Sequence, residues 1–239
     1  MRRALFLLPA LVAALLSGAC GGSEATAPTP LPKVDVAQAT ARTVDAESAR
    51  FTLSGEGGRG GPFSGEGELA GHRARLDLHF PDAAGGLFFP AAVEAVYADG
   101  ALYLRLSGLA GLLPGLVSGG RDWLRVDLAA DSDVLDEYLD LGGGDPTRLL
   151  ETLEAAGAFA EVGSERVRGV ETTRYRGSVA STRVDVWVGA DELVRRVTVR
   201  DGDGTNVELE LYDFGADLEI ERPPADEVAE LGDLLQGGF

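Results

Sequence analysis

Cys20 is the residue of this 239-residue chain whose chemistry is easiest to read: its thiolate is a nucleophile, and the small residues Ser17-Gly18-Ala19 before it would admit a peptidase. It is the only cysteine, so no intramolecular disulfide can form, and a lone thiol in an exported protein needs another use. Other candidates fall away. His72 and His79 lie seven apart on one expected strand, hence on opposite faces, and neither a second cysteine nor clustered carboxylates join them, so no metal site is read. Asp201-Gly202-Asp203-Gly204-Thr205-Asn206 begins like a calcium loop, but Asn206 and Tyr212 stand where glycine and a bidentate glutamate are required; a hairpin turn fits better. Neither a Gly-x-Ser-x-Gly elbow nor a P-loop occurs, and the acidic side chains are expected to face solvent. No catalytic residue and no cofactor is expected.

Upstream of Cys20, Arg2 and Arg3 precede an apolar run over 4–16 that is shorter than the roughly 20 residues of a spanning helix. The layout is that of a signal peptide over 1–19. Leu16-Ser17-Gly18-Ala19-Cys20 resembles a lipobox, with Ser17 at the position three before the cysteine where an aliphatic residue is usual. On this reading Cys20 carries the lipid, and two or three acyl chains, each holding by about 0.8 kcal/mol per buried methylene, anchor the protein to the membrane. The alternative is ordinary secretory cleavage after Ala19, which leaves an unmodified thiol. Residues 20–32 (CGGSEATAPTPLP) cannot bury enough apolar surface to fold and form the lipidated cysteine with its tether, and 33–239 make one domain.

The charge is −18, and loss of Arg2 and Arg3 leaves nineteen basic residues against 39 acidic, a balance of −20. Such a surface repels nucleic acid and anionic lipid headgroups. Lys33 is the single lysine beside twenty arginines, which with abundant Gly, Ala and Leu points to a high-GC actinobacterial source.

Within 33–239 an amphipathic helix is expected over 34–49, capped by Asp35. The period then changes to two over 49–55, 63–70, 72–80, 93–99, 101–107 and 123–128, with a tight hairpin at Asp99-Gly100. Val134, Leu135, Tyr138, Leu139 and Leu141 mark one further helix, and Asp145-Pro146 opens another whose stripe is Leu149, Leu150 and Leu153. Strands return over 160–167, 170–179, 182–188, 193–200 and 206–214, and a short helix is expected within 226–235. Val184, Val186 and Val188 alternate with Arg183, Asp185 and Trp187, as do Leu102, Leu104 and Leu106 with their neighbours, which describes an antiparallel sheet with one wet and one apolar face. The fold class is therefore α+β. Its helices look too few to cover the apolar face, which leaves room for a hydrophobic ligand. The apolar, glycine-bearing loops 85–90 and 109–117 could line its entrance or tuck into the core.

The order of these parts resembles the LppX/LprG lipoproteins of mycobacteria and their relatives. The likeness is carried by the lipobox, polar tether, helix, Ser48-Ala49-Arg50-Phe51 strand, Asp99-Gly100 hairpin, Trp123 strand, Asp145-Pro146 helix and closing meander. It spans nearly the whole of 20–239. The resemblance implies a curved antiparallel half-barrel with helices packed on its concave face, like the LolA and LolB carriers. It also implies an apolar cavity for acylated lipid or glycolipid, and transfer across the envelope without catalysis. By position the cavity would be lined by Leu102, Leu104, Leu106, Leu112, Leu113, Leu149, Leu153, Val186 and Leu209. The chain would sit on the outer face of the cytoplasmic membrane, with a membrane transporter as candidate partner. The competing reading is a structural or interaction lipoprotein whose core is fully packed and whose acidic face docks a membrane partner.

Overall fold

The computed structural model describes residues 35–56, 61–81, 92–105, 121–127, 150, 153, 158–179, 182–202 and 204–231. Helix α1 spans Val36–Val44. Asp35 caps it by accepting from the Ala37 amide at 3.0 Å. Val36, Ala39, Thr40 and Thr43 form its buried stripe. The two threonine hydroxyls donate back to the carbonyls of Val36 and Ala39, and Thr43 Oγ1 also accepts from the Val194 amide at 2.9 Å, which ties the helix to the sheet. The helix is shorter than the periodicity suggested. Glu47 turns to positive φ, and Ser48 already begins a strand, its hydroxyl donating to the Ala216 carbonyl at 2.6 Å.

Twelve strands follow: β1 Ser48–Glu56, β2 Phe63–Ala70, β3 Arg73–His79, β4 Ala92–Ala98, β5 Ala101–Arg105, β6 Trp123–Asp127, β7 Ala160–Val167, β8 Val170–Val179, β9 Thr182–Gly189, β10 Val194–Arg200, β11 Asn206–Tyr212 and β12 Val228–Glu230. They form one curved, unclosed sheet in the order β12-β6-β5-β4-β3-β2-β1-β11-β10-β9-β8-β7. The Asp99-Gly100 hairpin is as expected, both residues having positive φ.

Three expectations need correction. The sheet is mixed, because β12 lies parallel to β6. Of the helix expected within 226–235, residues 226–230 instead belong to a 3-10 turn, Ala225–Glu227, and to β12, Leu231 is helical and 232–235 lie outside the described residues; pairing with the free edge of β6 satisfies that edge and buries Ala229 beside Leu124. His72 belongs to the turn before β3, so only His79 lies on that strand. Of the helices expected within 133–156, only Leu150 and Leu153 fall among the described residues; both are helical and buried. Loops 85–90 and 109–117 lie outside the described residues.

The sheet presents its large side chains mainly to one side. A row runs through Ala229, Leu124, Leu104, Ala95, Leu76, Gly67, Phe51 and Leu211, and a second through Leu53, Leu209, Val197, Val186 and Tyr175. Gly67 is required where it stands: the Phe51 ring lies in the space that a Cβ there would occupy, and the Arg75 carbonyl closes the same space. Replacing Gly67 by Val should force that ring off the sheet and lower the unfolding free energy by about 1–3 kcal/mol, read as a lower denaturant midpoint at unchanged slope.

Candidate functional site

The apolar side holds one continuous cluster. Leu102 is 8 % exposed, Leu153 1 %, and Val186 and Leu209 0 %, all in this cluster, with Leu104 packed against it as a partly buried member. Five of the nine side chains assigned to the cavity are thus brought together from β5, β9, β11 and the helical residue Leu153. The others, Leu106, Leu112, Leu113 and Leu149, lie outside the described residues, as does Cys20. Burial of this degree is what a packed core and a closed ligand chamber both require. Val36 and Ala39 of α1 and Leu150 join the same cluster, so helical residues do cover part of the apolar face.

Sequence reading missed several members. Phe51, Leu124, Val126, Val197, Leu211 and the buried Tyr175 belong to the cluster as fully as the chosen leucines, and their period-two placement in β1, β6, β8, β10 and β11 was the available signal. A small hollow of about 50 Å³ opens at one margin of the cluster, where Val44, Ala49, Leu69, Leu150 and Leu211 meet His72. It admits a water molecule or a methyl group. Among the described residues no group of three His, Cys, Asp or Glu side chains is disposed to hold a metal ion. No described helix is long and apolar enough to cross a membrane.

The opposite face is not simply wet. Beneath the C-terminal segment, Val96, Ala98, Ala101, Tyr103 and Trp123 form a second cluster closed by Ile220. Over β8–β10 the cover is ionic. Asp185, expected at a solvent-facing position, is 0 % exposed. It accepts from Arg176 Nε at 2.6 Å, Arg174 Nη2 at 2.8 Å and Arg200 Nη1 at 3.1 Å. Trp187, beside it on β9, is 3 % exposed, packed under Arg174 and Arg196, and donates its indole N–H to Glu165 at 3.0 Å. The turn residue Arg168 reaches back to stack 4.0 Å over Tyr212 and to bond Glu210 at 2.8 Å. The alternation of Arg183, Asp185 and Trp187 was visible in the sequence; that arginines of β8 and β10 would close over Asp185 was not.

Burial alone would raise the Asp185 pKa, but the hydrogen bonds from Arg176 and Arg174 outweigh it and hold the carboxyl below its usual range. A depressed folded-state pKa contributes stability that is fully present above the unfolded value and is lost as pH falls through the folded one. Asp185→Asn should therefore cost about 2 kcal/mol near neutrality, less than for a fully enclosed pair because the arginines are partly solvated. In urea titrations the difference from the wild type should shrink from about pH 4 downwards.

No family model matches the chain. A Streptomyces coelicolor protein described as a candidate lipoprotein is 31 % identical over 162 residues, covering 60 % of this chain and 53 % of that protein. A 31.2 kDa Streptomyces griseus protein is 26 % identical over 160 residues, covering 51 % and 52 %. The chain spans about half the length of these curated relatives. Among solved structures, LprF of Mycobacterium bovis superposes with a TM-score of 0.50 at 14 % identity, over 82 % of this chain and 100 % of that one. LppX of Mycobacterium tuberculosis gives 0.49 at 14 % identity over 78 % and 98 %. The likeness to LprF shows the fold, a sheet of the same kind, and a protein described as a candidate lipoprotein is among the chain's relatives.

Proposed function

We propose that this chain is an exported lipoprotein, anchored through Cys20 to the outer face of the cytoplasmic membrane. In this reading it binds an acylated lipid or glycolipid between the apolar face of the sheet and the helices over it, without catalysis, and passes that lipid across the envelope. The observation that carries the reading is the single apolar cluster uniting Leu102, Leu104, Leu153, Val186 and Leu209 on an LprF-like sheet. Leu106, Leu112, Leu113 and Leu149 would complete the lining, and a membrane transporter would be the partner in hand-over.

Burial of an alkyl chain is non-directional and scales with the apolar area withdrawn from water, about 25 cal/mol per Å². Selectivity would then follow chain length and headgroup clearance, with few specific hydrogen bonds. Affinity for a homologous series of fatty acyl probes should rise about fourfold per methylene until the chamber is full. Val186→Trp, which places an indole in the middle of the cluster, should reduce the lipid that co-purifies, as read by native mass spectrometry or solvent extraction. A core that retains no lipid and binds no acyl probe would instead favour a structural or interaction lipoprotein. Independently, Cys20→Ser should move the protein from the membrane fraction to the soluble fraction if the lipid is its anchor.

A further inference from the structure

The charged face holds a second feature that lipid burial does not use. Arg183 on β9 and Arg200 on β10 are direct cross-strand partners, and like charges in that position destabilise a sheet. No ion pair of Arg183 is formed among the described residues, and its side chain is exposed. Arg200, Arg176 and Arg174 all converge on Asp185, so three arginines share one carboxylate and Arg183 adds a fourth positive charge beside them. The local excess is positive in a chain of net charge −18.

Two further groups on this side are left with hydrogen-bonding capacity. Thr198, the cross-strand partner of Asp185, is 2 % exposed and its hydroxyl has no partner; Arg174 Nε is likewise buried and unpaired. Asp185 fixes the guanidinium groups of Arg176 and Arg200 in place, so the donors are held before any ligand arrives. Around the patch stand Glu165, Glu208, Glu210 and, at the end of the Arg183–Arg200 row, Glu56. Those carboxylates would repel a long polyanion while leaving room for one compact anion.

We propose that Arg176, Arg183 and Arg200 form a binding site for a single phosphate-bearing group, with the Thr198 hydroxyl as an additional donor. The group is either free phosphate or the headgroup of a phospholipid. The site lies on the face opposite the apolar cluster, so its occupancy and acyl-chain binding can fail separately.

The test titrates the full chain with inorganic phosphate, with short-chain phosphatidylglycerol and with phosphatidylcholine of the same acyl chains, followed by calorimetry. Saturable binding of phosphate is expected if the ligand is the free anion; preferential binding of phosphatidylglycerol is expected if it is a headgroup. In either case Arg183→Gln should weaken binding about tenfold, and Arg183→Gln with Arg200→Gln more, while the melting temperature of the Arg183→Gln chain does not fall, since the like-charge pair is relieved. Absence of saturable binding of both anions overturns the proposal. So does an affinity unchanged in folded Arg183→Gln, or equal, arginine-independent binding of both lipids, which would report the apolar cluster alone.

Discussion

A wide sheet with one greasy side must hide that side, and most other features of this protein answer that constraint. Strands alternate, so every residue that turns Leu209 or Val186 inward turns Glu210 or Trp187 outward. Helix α1 is held down by two devices at once, apolar contact through Val36 and Ala39 and the bond from the Val194 amide to Thr43. The second matters because β10 has a register shift between Val194 and Arg196, where a ladder hydrogen bond is lost and a side-chain acceptor can replace it. The same arrangement lets residues from both halves of the chain converge on one cluster, which is the property a chamber for an alkyl chain needs.

The opposite face solves a different problem, that of a charged surface with large aromatic side chains on it. Trp123 and Trp187 are buried there under Arg105, Arg174 and Arg196, so guanidinium planes act as the lid that a helix would otherwise supply. Arginine suits this role because its weakly hydrated planar group can stack on a ring and still bond a carboxylate. The near absence of lysine, read as a matter of codon usage, therefore has a structural counterpart. The exposed edge strand β7 is blunted by its bulge between Glu161 and Gly163 and by the charges of Glu161, Glu165 and Arg166, which discourage pairing with another chain.

Much of this was legible beforehand. Period-two alternation located eleven of the twelve strands to within a few residues, and the Asp35 cap and Asp99-Gly100 turn depend on local geometry that needs no partner. Leu102, Leu104, Val186 and Leu209 could be chosen because each sits at an inward phase of its own strand. The misses share a cause. Residues 226–230 have a composition compatible with either element, and the choice was made by the open edge of β6, more than 100 residues away. Asp185 looked like any other polar position in an alternating strand, since nothing local says that Arg174, Arg176 and Arg200 will close over it.

From sequence alone came the period of each element, the phase of its apolar side, the turn residues and the reading of Cys20, because all of these rest on backbone preferences and on neighbours within a few positions. Tertiary structure decided which strands are neighbours, that the sheet ends in a parallel pair, and that one carboxylate is buried beneath three guanidinium groups. Those outcomes depend on contacts between residues far apart in the chain, whose energies exist only once the sheet has curved and brought them within hydrogen-bonding reach.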